Sequence, residues 1–284
     1  MTFIMVNPWR LNDQAEPRGL SLRVRLMLAI LLVSAFLSGC SVSPTGRNQL
    51  TLYSEDTMAQ QGSQSFEEMK QQLPISQDTK INRNVQCVAE ALLKTAELKP
   101  VEWEIVVFDQ PDTVNAFALP GRKIGVYTGL LDVAKTDDQL AAVVGHEIGH
   151  VLAHHGNERV STTMITQAGL AILLIGLQTQ DMNSPELTAA LTGGAQIGII
   201  LPFSRAHESE ADTIGLLLMA RAGFDPKASV VLWQNMSQAG GDGPPQFLST
   251  HPSNESRIEG LESHMDEAMA LYREAAHHPQ CPAR

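Results

Sequence analysis

His146-Glu147-Ile148-Gly149-His150 places two imidazoles four positions apart, with a carboxylate beside the first. On a helix, positions i and i+4 share one face a turn apart, so both rings can reach one metal ion. Glu147 falls next to that face, where it can act on a water molecule rather than ligate. Zinc takes His nitrogen and carboxylate oxygen readily, and a catalytic zinc keeps one position open. Such a set activates water for hydrolysis. A third ligand is required. Where one zinc-site spacing would put another histidine, Gly156 stands instead. The carboxylate alternative is met by Glu208-Ser209-Glu210-Ala211-Asp212. Glu208 is the expected third ligand. Asp212, one turn further along the same face, is expected to accept the free ring N–H of a liganding histidine. Glu210 points to another side and is expected in solvent.

These residues need helices to hold them. Asp137-Asp138 open a segment in which Leu140, Val143, Val144, Ile148, Val151 and Leu152 recur at helical spacing. The pair Gly156-Asn157 is expected to end or kink it. His154 and His155 are expected near the helix end, outside the ligand set. Upstream, helices are expected over 54–73 and 78–97, a strand over 101–108, and two more strands at 114–118 and 122–128 around Pro120-Gly121. Helices follow to the end, so the fold class is α+β. Two apolar runs, 164–178 and 187–201, are each short for a membrane span. They are expected to pair as a helical hairpin over the active helix.

Several stretches, in order, resemble the M48 metallopeptidases. They are Asn115-Ala116-Phe117-Ala118-Leu119-Pro120-Gly121, Val126-Tyr127-Thr128-Gly129-Leu130-Leu131, His146 to His150, Ser204-Arg205 with Glu208 to Asp212 and Gly215, and Thr250-His251-Pro252 with Arg257. Within the family the chain looks most like the bacterial periplasmic lipoprotein type, without tetratricopeptide repeats. The resemblance implies a mainly helical, gluzincin-like zincin domain with a small sheet whose edge strand binds substrate. Asn115 and Ala116 match the segment on that strand. It further implies one zinc per subunit and endopeptidase activity with Glu147 as general base. His251 would be a fourth ligand or an oxyanion stabiliser. Arg257 would orient the Asp212 side or hold the loop, or else be a surface cation. The implied substrates are unfolded or misassembled outer-membrane proteins. The alternative is a latent zinc-binding assembly or chaperone-like factor with little proteolysis.

The N-terminus reads as an export signal. Arg18, Arg23 and Arg25 precede the apolar run Leu26 to Leu37, which ends at Leu37-Ser38-Gly39-Cys40. That resembles a lipobox, implying lipid on Cys40 and an outer-membrane lipoprotein of the bacterial envelope facing the periplasm. Translation from Met5 is an alternative start. The expected organisation is a signal peptide at 1–39, a tether at 40–53, the peptidase domain at 54–276 and a tail at 277–284. With Cys40 lipidated, Cys87 and Cys281 remain as a pair, and geometry decides whether they join. A net charge of −11 gives no electrostatic reason to bind nucleic acid.

Overall fold

The computed structural model describes residues 40–178, 203–239, 246–252 and 255–284. The signal-peptide reading and the second arm of the expected hairpin lie outside the described residues. Two short strands, β1 (Cys40–Val42) and β2 (Asn48–Leu50), pair first. Helices α1 (Glu55–Gln72) and α2 (Thr79–Thr95) follow. Then come β3 (Glu104–Phe108), β4 (Ala116–Leu119) and β5 (Lys123–Tyr127). The remaining helices are α3 (Asp137–Leu152), α4 (His155–Gln178), α5 (Arg205–Arg221), α6 (Lys227–Gln238), α7 (Gln246–Thr250), α8 (Glu255–Ser263) and α9 (Met265–Glu274). The mainly helical α+β domain agrees with the expected zincin-like fold. No helix among the described residues is long and apolar enough to cross a membrane.

Local chemistry starts the helices where the sequence suggests. Ser54, Asp78, Thr136 and Ser204 each cap a helix by accepting from a backbone N–H of its first turn. In the three-stranded sheet the order is β3-β5-β4, with β3 parallel and β4 antiparallel to β5. Ala116 faces Val126 and Ala118 faces Ile124, which makes β4 an edge strand. Phe66, Phe108, Phe117 and Tyr127 pack as an aromatic cluster between α1 and the sheet.

Helix α3 is the centre of the domain, buried from Gln139 through His150. Its partner is α5, and small residues let the two backbones meet. A Cβ on Gly215 would lie 2.7 Å from the His146 nitrogen, and one on Gly149 would lie 2.9 Å from the Ala211 carbonyl oxygen. The two helices that carry the candidate ligands His146, His150 and Glu208 are thus held in backbone contact at the level of those side chains. Gly215→Val is expected to force them apart at a cost of about 1–3 kcal/mol. Thermal unfolding and bound-metal content, measured together, should both fall.

Two expectations are corrected. The segment expected as a tether at 40–53 carries two paired strands, β1 and β2. Gly46 adopts a φ of +90°, the Gly46 N–H bonds to the Ser43 carbonyl, and the segment folds back as a hairpin. Leu52 and Tyr53 then donate backbone N–H groups to Ser161 and Asn157 on α4, fastening the hairpin to the domain. Helix α3 ends before Gly156. Ala153 is its C-cap, and His154 takes the left-handed conformation at φ +53°. His155 therefore opens α4 rather than trailing off α3.

The tail is anchored. Cys87 on α2 and Cys281 form a disulfide across a sequence separation of 194. Asn84 donates to the Pro282 carbonyl, and Arg284 donates to that of Ala134. Cys87→Ser should cost about 2–4 kcal/mol, chiefly through a less constrained unfolded chain. Denaturant unfolding of wild type and variant, with and without reductant, checks this. Reductant should bring the wild type down to the variant.

Candidate metal centre

Four side chains converge where α3, α5 and the segment after α7 meet. One ligand atom from each of His146, His150, Glu208 and His251 lies within 4.8 Å of the others. His146 Nε2 and His150 Nε2 are 3.0 Å apart. Glu208 approaches both rings at 3.5 Å. His251 Nδ1 is 3.1 Å from Glu208 Oε1 and 3.3 Å from His146 Nε2. All four are buried.

The donor set fits a cation. Asp212 Oδ1 lies 2.9 Å from His146 Nδ1 and accepts its N–H, which leaves Nε2 as the ring atom that would meet a metal. Glu208 adds a buried carboxylate, with one oxygen ion-paired to Arg257 at 2.7 Å. His146 Nε2 and His150 Nε2, 3.0 Å apart beside a carboxylate, can share one proton between them. A divalent ion would displace that proton, and nitrogen with carboxylate is a zinc set.

Electrostatics around the cluster are strong. Burial works against charge on His146, yet Asp212 and Glu208 outweigh it and raise its pKa to about 9. Burial holds His150 well below the ordinary histidine value. Burial also opposes ionisation of Glu208, but its contacts with His146, His150 and His251 prevail and depress its pKa. Glu147 has little to offset desolvation, so its pKa is raised. Its Oε2 meets the Ala118 N–H of β4 at 3.4 Å, and its Oε1 is buried without a hydrogen-bond partner.

Arg257 is no surface cation. Its Nε and Nη2 each lie 2.6 Å from an oxygen of Asp212, and Nη1 lies 2.7 Å from Glu208 Oε2. The guanidinium sits 3.8 Å over the Trp233 ring. It also reaches the backbone carbonyls of His251 and Pro252.

Placement elsewhere is mixed. Ala116 is on β4 and buried, whereas Asn115 lies one residue before the strand, its carbonyl bonded to the Tyr127 N–H. A cavity of about 830 Å³ runs beside β4, with Ala118, Leu119, His150 and Phe203 in its wall. Glu210 is corrected: it is buried and ion-paired to Arg47 at 2.8 Å. His155, expected outside the site, is fully buried and touches His150. Burial lowers its pKa to about 4 despite Glu210. His207 contacts Glu158 at 3.0 Å and stacks on His155.

A two-histidine, one-glutamate centre on two crossing helices, with a buried carboxylate between it and a sheet edge, defines a zinc metallopeptidase domain. Comparison with known proteins gives the family. The model of peptidase family M48 matches residues 79–265. The chain is 37% identical over 224 residues to the mitochondrial metalloendopeptidase OMA1 of Arabidopsis thaliana, covering 78% of this chain and 44% of that protein. It is 38% identical over 183 residues to OMA1 of Schizosaccharomyces pombe, covering 64% and 52%. It is 27% identical over 206 residues to the beta-barrel assembly-enhancing protease of Escherichia coli, covering 70% and 42%. The chain belongs to peptidase family M48, and its metal is zinc. It spans about half the length of the curated relatives it matches.

The expected location is overturned. OMA1 relatives from Arabidopsis thaliana, two yeasts and three vertebrates are mitochondrial by name, not proteins of a bacterial outer membrane.

Proposed function

We propose that the chain is a zinc endopeptidase that cleaves extended segments of polypeptides laid along β4. The observation that carries this is the convergence of His146, His150 and Glu208 with Glu147 beside them, next to the edge of that strand left unpaired among the described residues. The bound zinc supplies a Lewis acid that polarises the scissile carbonyl and eases deprotonation of water. Glu147 takes the proton of the attacking water and passes it to the departing amine. Its buried, partner-poor position suits a carboxylate that must hold a proton transiently. Asp212 fixes the tautomer of His146. Backbone groups of β4 hold substrate with little sequence demand.

In this reading the substrates are unfolded or misassembled membrane proteins, outer-membrane proteins among them. Similarity to a protein named beta-barrel assembly-enhancing protease supports that class. The apolar run Leu26 to Leu37 ahead of Cys40 supports lipid attachment there, which intact-mass measurement tests. Metal analysis of the purified chain should give one zinc, and casein cleavage should stop with chelator and return with zinc. Purified protein without stoichiometric zinc would end this reading.

A second reading is favoured by His251. Its ring completes the donor set and also lies 3.5 Å from Glu147. With that ring in place the centre is closed, as in a latent factor that holds its clients and rarely cuts. His251→Ala should then raise casein cleavage. A rate that drops instead gives His251 a part in stabilising the oxyanion.

A further inference from the structure

We propose that His155 and Glu210 are positioning residues that set the ring of His150 for metal binding, and that Arg47 of the N-terminal hairpin locks them in place. This rests on the reading of His150 as a zinc ligand. It concerns the second ligand, which Asp212 does not touch.

His150 Nδ1 lies 2.9 Å from His155 Nδ1, and His155 Nε2 lies 3.1 Å from Glu210 Oε2. An ionised carboxylate only accepts, so His155 carries its proton on Nε2. Its Nδ1 is then an acceptor, and His150 must donate Nδ1–H to it. The lone pair of His150 is left on Nε2, the atom that faces His146 Nε2 and Glu208. One carboxylate thus dictates, through two imidazoles, which nitrogen of a ligand is free for zinc. His146 obtains the same result directly from Asp212.

The far end is fixed by the hairpin. Glu210 accepts from Arg47 Nε at 2.8 Å and from Thr45 Oγ1 at 2.5 Å. The same guanidinium grips Glu158 at 2.8 and 2.6 Å. Gln49 donates to the carbonyl of Ala153, the cap of the helix that carries His150. Both ring nitrogens of His155 and both carboxylate oxygens of Glu210 have partners, and His155 is fully buried. A ring at that depth, facing a ligand on one side and a carboxylate on the other, has one orientation available.

The test uses the zinc-loaded full chain and chelator competition. His155→Leu removes the acceptor and should weaken zinc binding about 10- to 100-fold, the usual effect of losing such a partner. His155→Asn keeps an oxygen near the Nδ1 position and should recover most of it. Glu210→Ala should weaken binding in the same direction, and Arg47→Ala less so. In proton–nitrogen NMR, the His150 Nδ1–H should be a slowly exchanging signal in wild type. It should be lost or exchange fast in His155→Leu. A purely packing role would not move that signal or be rescued by Asn. If His155→Leu does not fold, Glu210→Ala against His155→Asn carries the comparison. Unchanged zinc affinity in Glu210→Ala, with no rescue distinction at His155, overturns the proposal. Wild type that binds no zinc would instead overturn the peptidase reading itself.

Discussion

Glu147→Gln is expected to keep its zinc and its fold while losing peptide cleavage about 100- to 10,000-fold, the range general acid–base catalysis contributes. Glutamine matches glutamate in shape, so the contact with the Ala118 N–H survives. Glu147 is not among the four converging ligand residues, so the metal should stay. What disappears is the capacity to take a proton from water and return it to an amine. Cleavage of casein or a quenched fluorescent peptide gives kcat/KM, and metal analysis gives occupancy. Cleavage that persists in the variant would remove Glu147 from the base role. Loss of zinc along with activity would make it structural.

Arg257→Met should be the most damaging change to stability, costing about 3–5 kcal/mol, because breaking a buried ion pair strands its partner. Here two partners are stranded. Asp212 and Glu208 are both buried, and both lean on the same guanidinium. Burial alone would raise the pKa of Asp212, and Arg257 is the main influence that holds it down. For a domain of this size the loss corresponds to a fall in Tm of roughly 6–20 °C. Methionine preserves part of the stacking volume over Trp233, so the drop isolates the charge. Arg257→Lys should recover only part, since an ammonium cannot reproduce the two parallel bonds to Asp212. Differential scanning calorimetry of the three proteins decides it. A Met variant as stable as wild type would mean the carboxylates find water or each other.

Local spacing made the centre readable. Two histidines at i and i+4 must share a helix face, and Glu208 with Asp212 repeats that rule on a second helix. The Asp212–His146 contact follows once the two helices cross. Glu210 follows a different logic. Two positions from Glu208 on a helix, it faces nearly the opposite way, and an acidic residue on that side reads as solvated. It is buried because the hairpin at 41–50 covers it, and no periodicity links Arg47 to a residue far along the chain. The hairpin was itself obscured by composition, since Pro44, Gly46 and Asn48 suit a loose linker as well as a tight turn. His155 was missed for a similar reason. The break between α3 and α4 falls at Ala153–His154, and that left-handed residue turns the next ring back toward His150.

The bond between Cys87 and Cys281 has a practical consequence for an enzyme of this kind. It makes most of the domain a closed covalent ring. One self-inflicted nick anywhere inside that ring leaves both pieces joined, so the molecule keeps its full mass until thiols are added. Gels run without reductant would hide such autolysis, and gels run with it would reveal two bands.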